Sequence, residues 1–246
     1  MLQSKYIIKN NALIADQTYR LDLLGDSGAM ERGGQFADVA IDGFYLRRPL
    51  AVTEWNEEGI SLIYKVIGEG TKKLSTMVPG AELDILTGLG NGFDAGLCRE
   101  RALIVSGGIG ASPTFTLAKD LIAAGRQVNV ILGFNSADEC ILADEYKALG
   151  ARVELTTVDG SAGTKGFVTA LLPEMSEGCD HFYTCGPKVM MKAVCETLTD
   201  IDGEASMEER MGCGCGICYG CTCHTSDGPR RVCADGPVFP KDKIIW

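Results

Sequence analysis

The sequence lacks the features that would place a protein in a membrane, outside the cell or on a nucleic acid. Its longest apolar runs, such as residues 102–105 and 128–132, are far too short to span a bilayer. Its first residues show no basic start followed by an apolar stretch, which a secretory signal needs. The net charge of −10 leaves no surplus of Lys and Arg to neutralise phosphates. We therefore expect a cytoplasmic protein that binds neither membranes nor nucleic acid.

Histidine is also scarce, because the chain contains only His181 and His224. No group of His and acidic residues is evident that would act as the general base of carbon acid chemistry. The sequence therefore predicts no catalytic acid–base residue. A Cys or carboxylate base in this chain stays open as an alternative.

Three segments of the chain differ in pattern. Residues 1–97 show short strand-like runs between closely spaced turn signals and no convincing helix, which predicts a small antiparallel β-barrel. Residues 98–202 alternate apolar strand runs with helical patterns, which predicts a doubly wound parallel-sheet domain. Residues 203–246 are too short and too rich in Gly and Cys to fold without a metal. The predicted fold class is therefore β plus α/β with a small C-terminal metal domain.

The middle segment predicts four strands and four helices in alternation. The predicted strands are residues 102–105, 127–132, 152–157 and 181–184. The predicted helices are residues 113–124, 137–149, 167–172 and 187–198.

Six of the eleven cysteines fall in one short stretch near the C-terminus. An odd count fits poorly with a disulfide framework, and in a reducing compartment such a cluster indicates a metal site. Its spacing, C-x4-C-x2-C followed after eleven residues by another Cys, is the plant-type arrangement for a [2Fe-2S] cluster. The predicted ligands are Cys213, Cys218, Cys221 and Cys233.

Two other kinds of metal site share part of this pattern. Cys215, Cys218 and Cys221 also resemble the start of a four-iron motif, but that motif needs a fourth Cys three residues on and then Pro. Cys223 comes too early for it, and Thr225 stands at the expected place. A zinc ribbon would need a second CxxC pair, which is missing. Cys215 and Cys223 are therefore expected not to be ligands.

A glycine-rich turn after the first strand of the middle segment predicts a dinucleotide site. Gly107, Gly108 and Gly110 let the backbone approach a pyrophosphate where a helix begins. A second turn, Cys185-Gly186-Pro187, closes the fourth strand at the end where such sheets bind ligands. By local sequence alone, either turn can also be a plain strand-to-helix connection. NAD is favoured over NADP because residues 133–145 contain acidic but no basic side chains.

The order of these features resembles the ferredoxin–NADP reductase superfamily, and more narrowly the electron-transfer subunits of class 1B dihydroorotate dehydrogenases. The resemblance covers essentially the whole chain, and the C-terminal part is its most specific piece. The stretches that carry it are residues 46–51, 107–110, 185–187, 211–221 and 232–239.

The resemblance implies an FAD site on the barrel. An Arg-x-Tyr-Ser segment holds the flavin in the wider superfamily, and the aligned residues here are Arg48, Pro49, Leu50 and Ala51. Ala51 departs from the usual Ser, so it offers the flavin no side-chain hydroxyl, whereas a backbone amide can still serve. The other FAD contacts that the resemblance implies are Ile63, Tyr64, Lys65, Gly70 and Thr71. Taken alone, Arg47-Arg48 is a basic pair of a kind that is usually solvated.

The resemblance also implies a function in pyrimidine biosynthesis. The chain would accept electrons from an FMN-containing dihydroorotate dehydrogenase catalytic subunit and pass them through the [2Fe-2S] cluster and FAD to NAD⁺. The two chains would form a heterotetramer with two of each, and the missing base would lie on the partner. Two alternatives stay open: a reductase subunit of another NAD(P)H:ferredoxin or sulfide oxidoreductase, and a redox sensor without turnover. Such reductases tend to have a noncysteine first ligand, whereas Cys213 is present here.

Overall fold

The computed structural model describes residues 1–246, and its N-terminal part is a closed barrel of six antiparallel strands. The strands are β1 (Leu2–Ala15), β2 (Thr18–Leu24), β3 (Phe36–Val39), β4 (Arg48–Asn56), β5 (Gly59–Lys65) and β6 (Glu82–Leu89). Around the barrel their order is β1, β2, β5, β4, β3, β6. Tyr6 and Ile8 are buried in the barrel core, while Ile7 between them is 48% exposed, because successive side chains of a strand point to opposite faces. The predicted barrel is confirmed.

The expectation that the first segment holds no helix is wrong. Helix α1 (Glu69–Ser75) follows β5. It is held by the Thr71 hydroxyl, which donates to the Gly68 carbonyl (3.1 Å), and by Leu74, which is buried in the barrel core. A helix of seven residues spans only two turns, so its apolar residues cannot show a period along the sequence.

The middle of the chain forms the predicted α/β domain around a seven-stranded sheet. The remaining strands are β7 (Arg101–Gly107), β8 (Gln127–Phe134), β9 (Arg152–Thr157), β10 (Thr164–Lys165), β11 (His181–Cys185), β12 (Asp202–Ser206), β13 (Thr222–Thr225), β14 (Gly228–Arg231) and β15 (Val238–Pro240). The order in the sheet is β10, β9, β8, β7, β11, β12, β15, and only β15 runs antiparallel to its neighbour. All four predicted strands are therefore present.

Helices cover both faces of this sheet, as a doubly wound domain requires. The helices are α2 (Pro113–Ala123), α3 (Ala143–Ala148), α4 (Leu172–Met175) and α5 (Lys188–Thr197). Residues of α2 and α3 pack with one face and with Ile63 of the barrel. Residues of α4 and α5 pack with the other face. The barrel and the α/β domain are also joined by the Thr53 and Ser112 hydroxyls, which lie 2.6 Å apart in a hydrogen bond.

Two predicted helices are not continuous. The predicted helix at 137–149 is a 3-10 turn (Ala137–Glu139) followed by α3, because Leu142 has a φ of +61° that no α-helix contains. Burial of Ile141 and Leu142 in the domain core stabilises this break. The predicted helix at 167–172 is a 3-10 turn (Val168–Leu171) that leads into the short α4.

The C-terminal segment combines a small lobe with two strands of the α/β sheet. Strands β12 and β15 pair with each other in that sheet, and β13 and β14 form a separate two-stranded sheet in the lobe. The lobe shares a core with the barrel and with α5, in which Phe36, Met191, Cys221 and Cys233 are all buried. This common core holds the three parts of the chain together. No helix in the chain is both long enough and apolar enough to cross a bilayer.

Candidate redox centre

The two glycine turns lie side by side in the structure because β7 and β11 are parallel neighbours. A Cβ on Gly110 would lie 2.3 Å from the carbonyl oxygen of Cys185, so only glycine allows the turns to touch. Gly186 has a φ of +151° and packs in the same way against Gly107. The structure therefore brings the predicted residues of both turns together at the carboxyl ends of the strands, where doubly wound sheets bind ligands.

A cavity of about 380 Å³ opens beside these turns, and we call it the strand-end cavity. Of the predicted dinucleotide residues, Gly107, Gly108 and Pro187 line it. Sequence reasoning missed Phe167, which is 69% exposed at the cavity. The sixteen lining residues include no Lys or Arg, and Glu139 is their only charged member.

A second cavity, of about 980 Å³, lies where the barrel, the α/β domain and the C-terminal lobe meet, and we call it the interdomain cavity. It is lined by the predicted residues Arg48, Pro49, Leu50, Gly70, Thr71, Gly186 and Pro187. Pro187 thus lines both cavities, so the two are adjacent.

The basic pair at the start of β4 is split between two roles. Arg47 bonds the carboxylate and the backbone carbonyl of Asp84, so it stabilises the barrel. Both arginines line the interdomain cavity, where Arg48 lies over the ring of Phe44 (4.8 Å). A Cβ on Gly70 would lie 2.3 Å from the Nε of Arg48, which explains a glycine at that position. Of the two, Arg47 is paired with the Asp84 carboxylate, so Arg48 is the barrel cation at this cavity that forms no ion pair.

Strands β4 and β5 separate at one edge of the interdomain cavity. Residues 52–56 of β4 pair with β5, and the pairing ends at Val52. Beyond that point β5 continues to Lys65 and pairs only with β2. Residues 63–65 therefore have one unpaired backbone edge, on the side of Ala51. The side chains of these residues do not line the cavity.

The three side chains of residues 63–65 have partners elsewhere. Ile63 is buried in the core that joins the barrel to the α/β domain. The Tyr64 hydroxyl donates to the Asn11 side chain (3.0 Å), and burial raises the pKa of Tyr64. Lys65 donates to Glu139 (2.9 Å). Only the backbone of these three residues is available to a ligand in the interdomain cavity.

Sequence reasoning also missed the segment between β12 and the first cysteine. Met207 to Met211 line the interdomain cavity, and Met211 also packs against the lobe core that contains Cys221 and Cys233. The only sequence signal for this segment was its position directly before Cys213.

The cysteine loop, residues 213–221, is folded so that backbone amides donate hydrogen bonds to cysteine sulfurs. Cys213 accepts hydrogen bonds from the amides of Ile217 (3.2 Å) and Cys218 (3.4 Å), and Cys233 accepts one from Gly216 (3.2 Å). The other two such bonds run from Gly220 to Cys218 (3.4 Å) and from Cys233 to Cys221 (3.3 Å). Each of the four predicted ligands thus accepts an amide hydrogen bond, which stabilises a thiolate and tunes a metal–sulfur centre.

The four predicted ligands form two pairs. Cys213 lies beside Cys218, and Cys221 lies beside Cys233. No three His, Cys, Asp or Glu side chains converge where a single metal ion could be held. Two pairs of thiolates suit a two-iron cluster, in which four cysteines are shared between two irons.

Burial and hydrogen bonding act in opposite directions on these thiols. Burial tends to raise the pKa of Cys213, but the amides of Cys218, Cys215 and Ile217 lower it to about 6. Burial raises the pKa of Cys233 to about 12, and its neighbour Cys221 adds to the effect. Metal binding has to displace the proton of such a thiol, so loading of this site releases protons.

The rest of the lobe fixes the loop on the molecule. Arg231 donates to the Gly216 carbonyl (2.7 Å) and forms an ion pair with Asp235 (2.9 Å). From the barrel, the Asp38 side chain faces Gly214, and burial raises the pKa of Asp38 to about 6. These contacts hold one side of the loop.

The other side of the loop faces solvent. Ile217 is 80% exposed and Tyr219 is 65% exposed, and Cys218 between them is exposed as well. Cys221 and Cys233 lie on the inner side and are buried. The four predicted ligands therefore lie between the molecular surface and the lobe core next to the interdomain cavity.

Two family models match the chain. Residues 208–245 match the iron–sulfur cluster binding domain of dihydroorotate dehydrogenase B. Residues 104–196 match the oxidoreductase NAD-binding domain. The two matches coincide with the cysteine loop and with the strand-end cavity, respectively.

Full-length relatives agree with these domains. A dihydroorotate dehydrogenase B (NAD(+)) electron transfer subunit of Fusobacterium nucleatum subsp. nucleatum is 40% identical over 94% of both chains. The subunit of the same name from Lysinibacillus sphaericus is 39% identical over 98% of both chains. A solved structure, described as an NADH-dependent reduced ferredoxin-NADP oxidoreductase, superposes with a TM-score of 0.89 at 28% identity, over 98% of this chain and 90% of the other.

These matches confirm the predicted resemblance and the predicted cofactors. The chain is an oxidoreductase subunit of ferredoxin reductase-like fold, and its redox groups are FAD, a [2Fe-2S] cluster and NAD. It belongs to the family of electron transfer subunits of dihydroorotate dehydrogenase B (NAD⁺).

Proposed function

We propose that each part of the chain holds one redox group and that the three groups form one electron path. The observation that carries this proposal is the contiguity of the sites. Pro187 lines both cavities, and Met211 links the interdomain cavity to the lobe core around Cys221 and Cys233. In this proposal residues 1–97 bind FAD, residues 98–202 bind NAD and residues 203–246 bind the cluster.

The [2Fe-2S] cluster has four ligands in this proposal, one pair for each iron. Cys213 and Cys218 hold one iron, and Cys221 and Cys233 hold the other, because these are the neighbours in the structure. Five amide hydrogen bonds to the four sulfurs support this ligand set. Cys215 is then a neighbour of the cluster and not a ligand.

FAD occupies the interdomain cavity in this proposal. Arg48 neutralises the pyrophosphate, and Gly70 and Thr71 approach it closely beside Arg48. The separated edges of β4 and β5 offer backbone groups of Ala51 and of residues 63–65, which fits the absence of a serine hydroxyl at position 51. The flavin contacts of Ile63, Tyr64 and Lys65 are therefore proposed as backbone contacts.

NAD occupies the strand-end cavity in this proposal. Gly107 and Gly108 line this cavity, and Gly110 lies behind them against Cys185, so the three glycines would let the pyrophosphate approach the start of α2. Gly186 and Pro187, which follow Cys185, lie at the boundary with the interdomain cavity, where the nicotinamide would meet the flavin. The proposed dinucleotide contacts are Gly107, Gly108, Gly110, Cys185, Gly186 and Pro187.

The electrons come from a second chain in this proposal. The partner is an FMN-containing catalytic subunit that oxidises dihydroorotate to orotate, in a cytoplasmic heterotetramer of two chains of each kind. When bound, the cluster carries single electrons and FAD carries two, so that the pair connects the partner's FMN with hydride transfer to NAD⁺. The exposed Ile217 and Tyr219 place the cysteine loop where a partner can dock.

The test of this proposal separates the local reaction from the coupled one. The purified chain should reduce an artificial dye with NADH, because FAD and NAD both bind locally. It should not reduce NAD⁺ with dihydroorotate until the FMN-containing partner is added. Turnover of dihydroorotate by the chain alone would place the substrate site here and overturn the proposal.

A surface variant locates the docking site. Ile217→Asp keeps the backbone amide that bonds Cys213 but places a charge on the exposed tip of the loop. We expect an increase of about tenfold or more in the apparent KM for the partner, as for an apolar interface anchor, with unchanged NADH–dye activity. Val78→Asp, at a barrel residue that is 66% exposed, is the matched control. Equal effects of the two variants would contradict docking at the loop.

A second function is favoured by one observation, the TM-score of 0.89 to the NADH-dependent reduced ferredoxin-NADP oxidoreductase structure. In that alternative the electrons would come from a ferredoxin and not from dihydroorotate. The sequence identity to that structure is lower, at 28% against 40% for the dihydroorotate dehydrogenase B subunit. The family resemblance also implies a noncysteine first ligand in such reductases, whereas this chain has Cys213. An inactive reconstituted pair with dihydroorotate, together with ferredoxin-dependent turnover, would favour this alternative.

A further inference from the structure

The strand-end cavity has an unusual electrostatic wall. Glu139 is the only charged side chain among its sixteen lining residues. It lies just beyond the carboxyl end of β8, where the second strand of a dinucleotide unit meets the adenosine ribose. One carboxylate oxygen accepts from the backbone amide of Asn135 (3.3 Å) and from its side-chain amide (2.9 Å). These bonds fix the carboxylate at the cavity wall.

The other carboxylate oxygen of Glu139 is bound to a cation from the barrel. Lys65, the last residue of β5, places its Nζ 2.9 Å from this oxygen. The Lys65 side chain is 32% exposed and that of Glu139 is 19% exposed, so solvent screens the pair only in part. The Lys65 hydrogen bond lowers the pKa of Glu139, so the carboxylate is ionised at neutral pH. Lys65 is thus a cation at the edge of the dinucleotide cavity whose charge is already neutralised.

We infer that Glu139 selects NAD over NADP by two effects, a negative charge that faces a 2′-phosphate and the retention of Lys65 away from that phosphate. This inference rests on the proposed placement of NAD in the strand-end cavity. A 2′-phosphate normally needs an Arg or Lys nearby, whereas an acidic side chain accepts a hydrogen bond from a free 2′-hydroxyl. In the structure Glu139 lies on the cavity wall and Lys65 is hydrogen-bonded to it. Loss of the Glu139 carboxylate would release Lys65, which could then supply the cation that a 2′-phosphate needs.

A purely structural role for the pair makes a different prediction. Lys65 and Glu139 also connect the barrel to the α/β domain, but that connection is made independently by the amide of Asp16, which donates to the carbonyl of Asp138 (2.8 Å). If the ion pair only joined the domains, its loss would affect stability and leave the preference for NADH unchanged. The preference is therefore the decisive measurement.

The main variant is Glu139→Gln, which keeps an oxygen for the Asn135 amide, removes the negative charge and releases Lys65. The ratio of kcat/KM for NADPH to that for NADH should rise about tenfold or more, since it changes two unit-charge interactions near the phosphate. Asp138→Asn is the matched control, because it removes the same charge from an exposed neighbour that does not line the cavity. It should leave the ratio within about twofold, as screening of exposed charges predicts.

The double variant Lys65→Met, Glu139→Gln tests the role of the lysine. It should lose most of the gain of the single variant, because no released cation remains. Calorimetric binding of 2′,5′-ADP and 5′-ADP gives a readout that needs no turnover, and the FAD absorbance of each variant shows that the flavin site is intact. We expect the single variant to bind 2′,5′-ADP more tightly relative to 5′-ADP than either the original chain or the double variant does.

The outcomes separate this inference from the function on which it rests. An unchanged ratio in Glu139→Gln, with normal NADH binding, would overturn the selection by Glu139. A double variant equal to the single variant would overturn the role of Lys65. If the unmodified chain bound neither NADH nor 5′-ADP, the placement of the dinucleotide itself would be wrong.

Discussion

Glu204 is expected to make the stability of this protein fall as the pH rises. It lies on β12, where the barrel, the linker before β7 and the C-terminal lobe meet, and it is only 8% exposed. Burial raises its pKa from 4.5 to about 7, against the lowering effect of the Asp94 amide, which donates to its carboxylate (2.9 Å). The folded chain therefore prefers the protonated acid, and it has to hold a buried charge at high pH.

The sign and size of the effect follow from these two pKa values. Stability from Glu204 is fully present below pH 4.5, where both states are protonated, and it is lost as the pH rises to about 7. Each pKa unit is worth about 1.4 kcal/mol, so the loss is at most about 3.5 kcal/mol. Glu204→Gln keeps an acceptor for the Asp94 amide and cannot ionise. The variant should therefore be more stable than the original chain at pH 8, by up to roughly 7 to 14 °C in Tm for a chain of this size.

Thermal unfolding of both proteins from pH 5 to pH 8.5, at one scan rate, measures this difference. The gap in Tm should be small at pH 5 and should widen through pH 7. Glu57→Gln, at an exposed residue of the β4–β5 turn, is the control and should show a constant gap near zero. A gap for Glu204→Gln that is the same at every pH, or a variant less stable than the original chain at pH 8, would refute the reasoning.

Two further predictions concern the cofactor sites. Single replacement of a cluster ligand by Ala should abolish binding of about two irons and two sulfides per chain, whereas Cys215→Ala and Cys223→Ala should keep it, as iron and sulfide analysis will show. The ligands to be replaced are Cys213, Cys218, Cys221 and Cys233. Gly110→Ala should weaken NADH binding by more than about tenfold, since its Cβ would meet the Cys185 carbonyl at 2.3 Å. Gly125→Ala is the control: its φ of +77° strains an alanine, but its Cβ meets nothing within 4 Å. It should bind NADH normally, and an equal loss in both variants would contradict the clash.

Local patterns in the sequence were enough for the main elements and for the cluster. A buried parallel strand is a continuous apolar run, so β7 and β8 were predictable from a few consecutive residues. The cysteine spacing is equally local, because the first three predicted ligands lie on one loop of nine residues, Cys213 to Cys221. The closely spaced turns of the first segment likewise indicated a barrel. Helix α1 and the break at Leu142 were not predicted, because a short helix or a positive φ produces no periodic pattern of apolar residues in the sequence.

Contacts between distant residues could not be predicted in this way. The sequence shows Arg47-Arg48 as one basic pair. Only the fold shows that both line the interdomain cavity and that Arg47 alone is bonded to Asp84. Nothing local to Lys65 indicates Glu139, 74 residues later, as its partner.

The sequence by itself determined which cofactor-binding segments this protein has, because glycine turns and cysteine spacing are set by neighbouring residues. Only the tertiary structure decided how those segments meet. Pro187 lines two cavities, and the segment ending at Met211 reaches from one of them to the cluster lobe. The physical reason is that burial and charge depend on packing between elements far apart in the chain, and no local pattern records that packing.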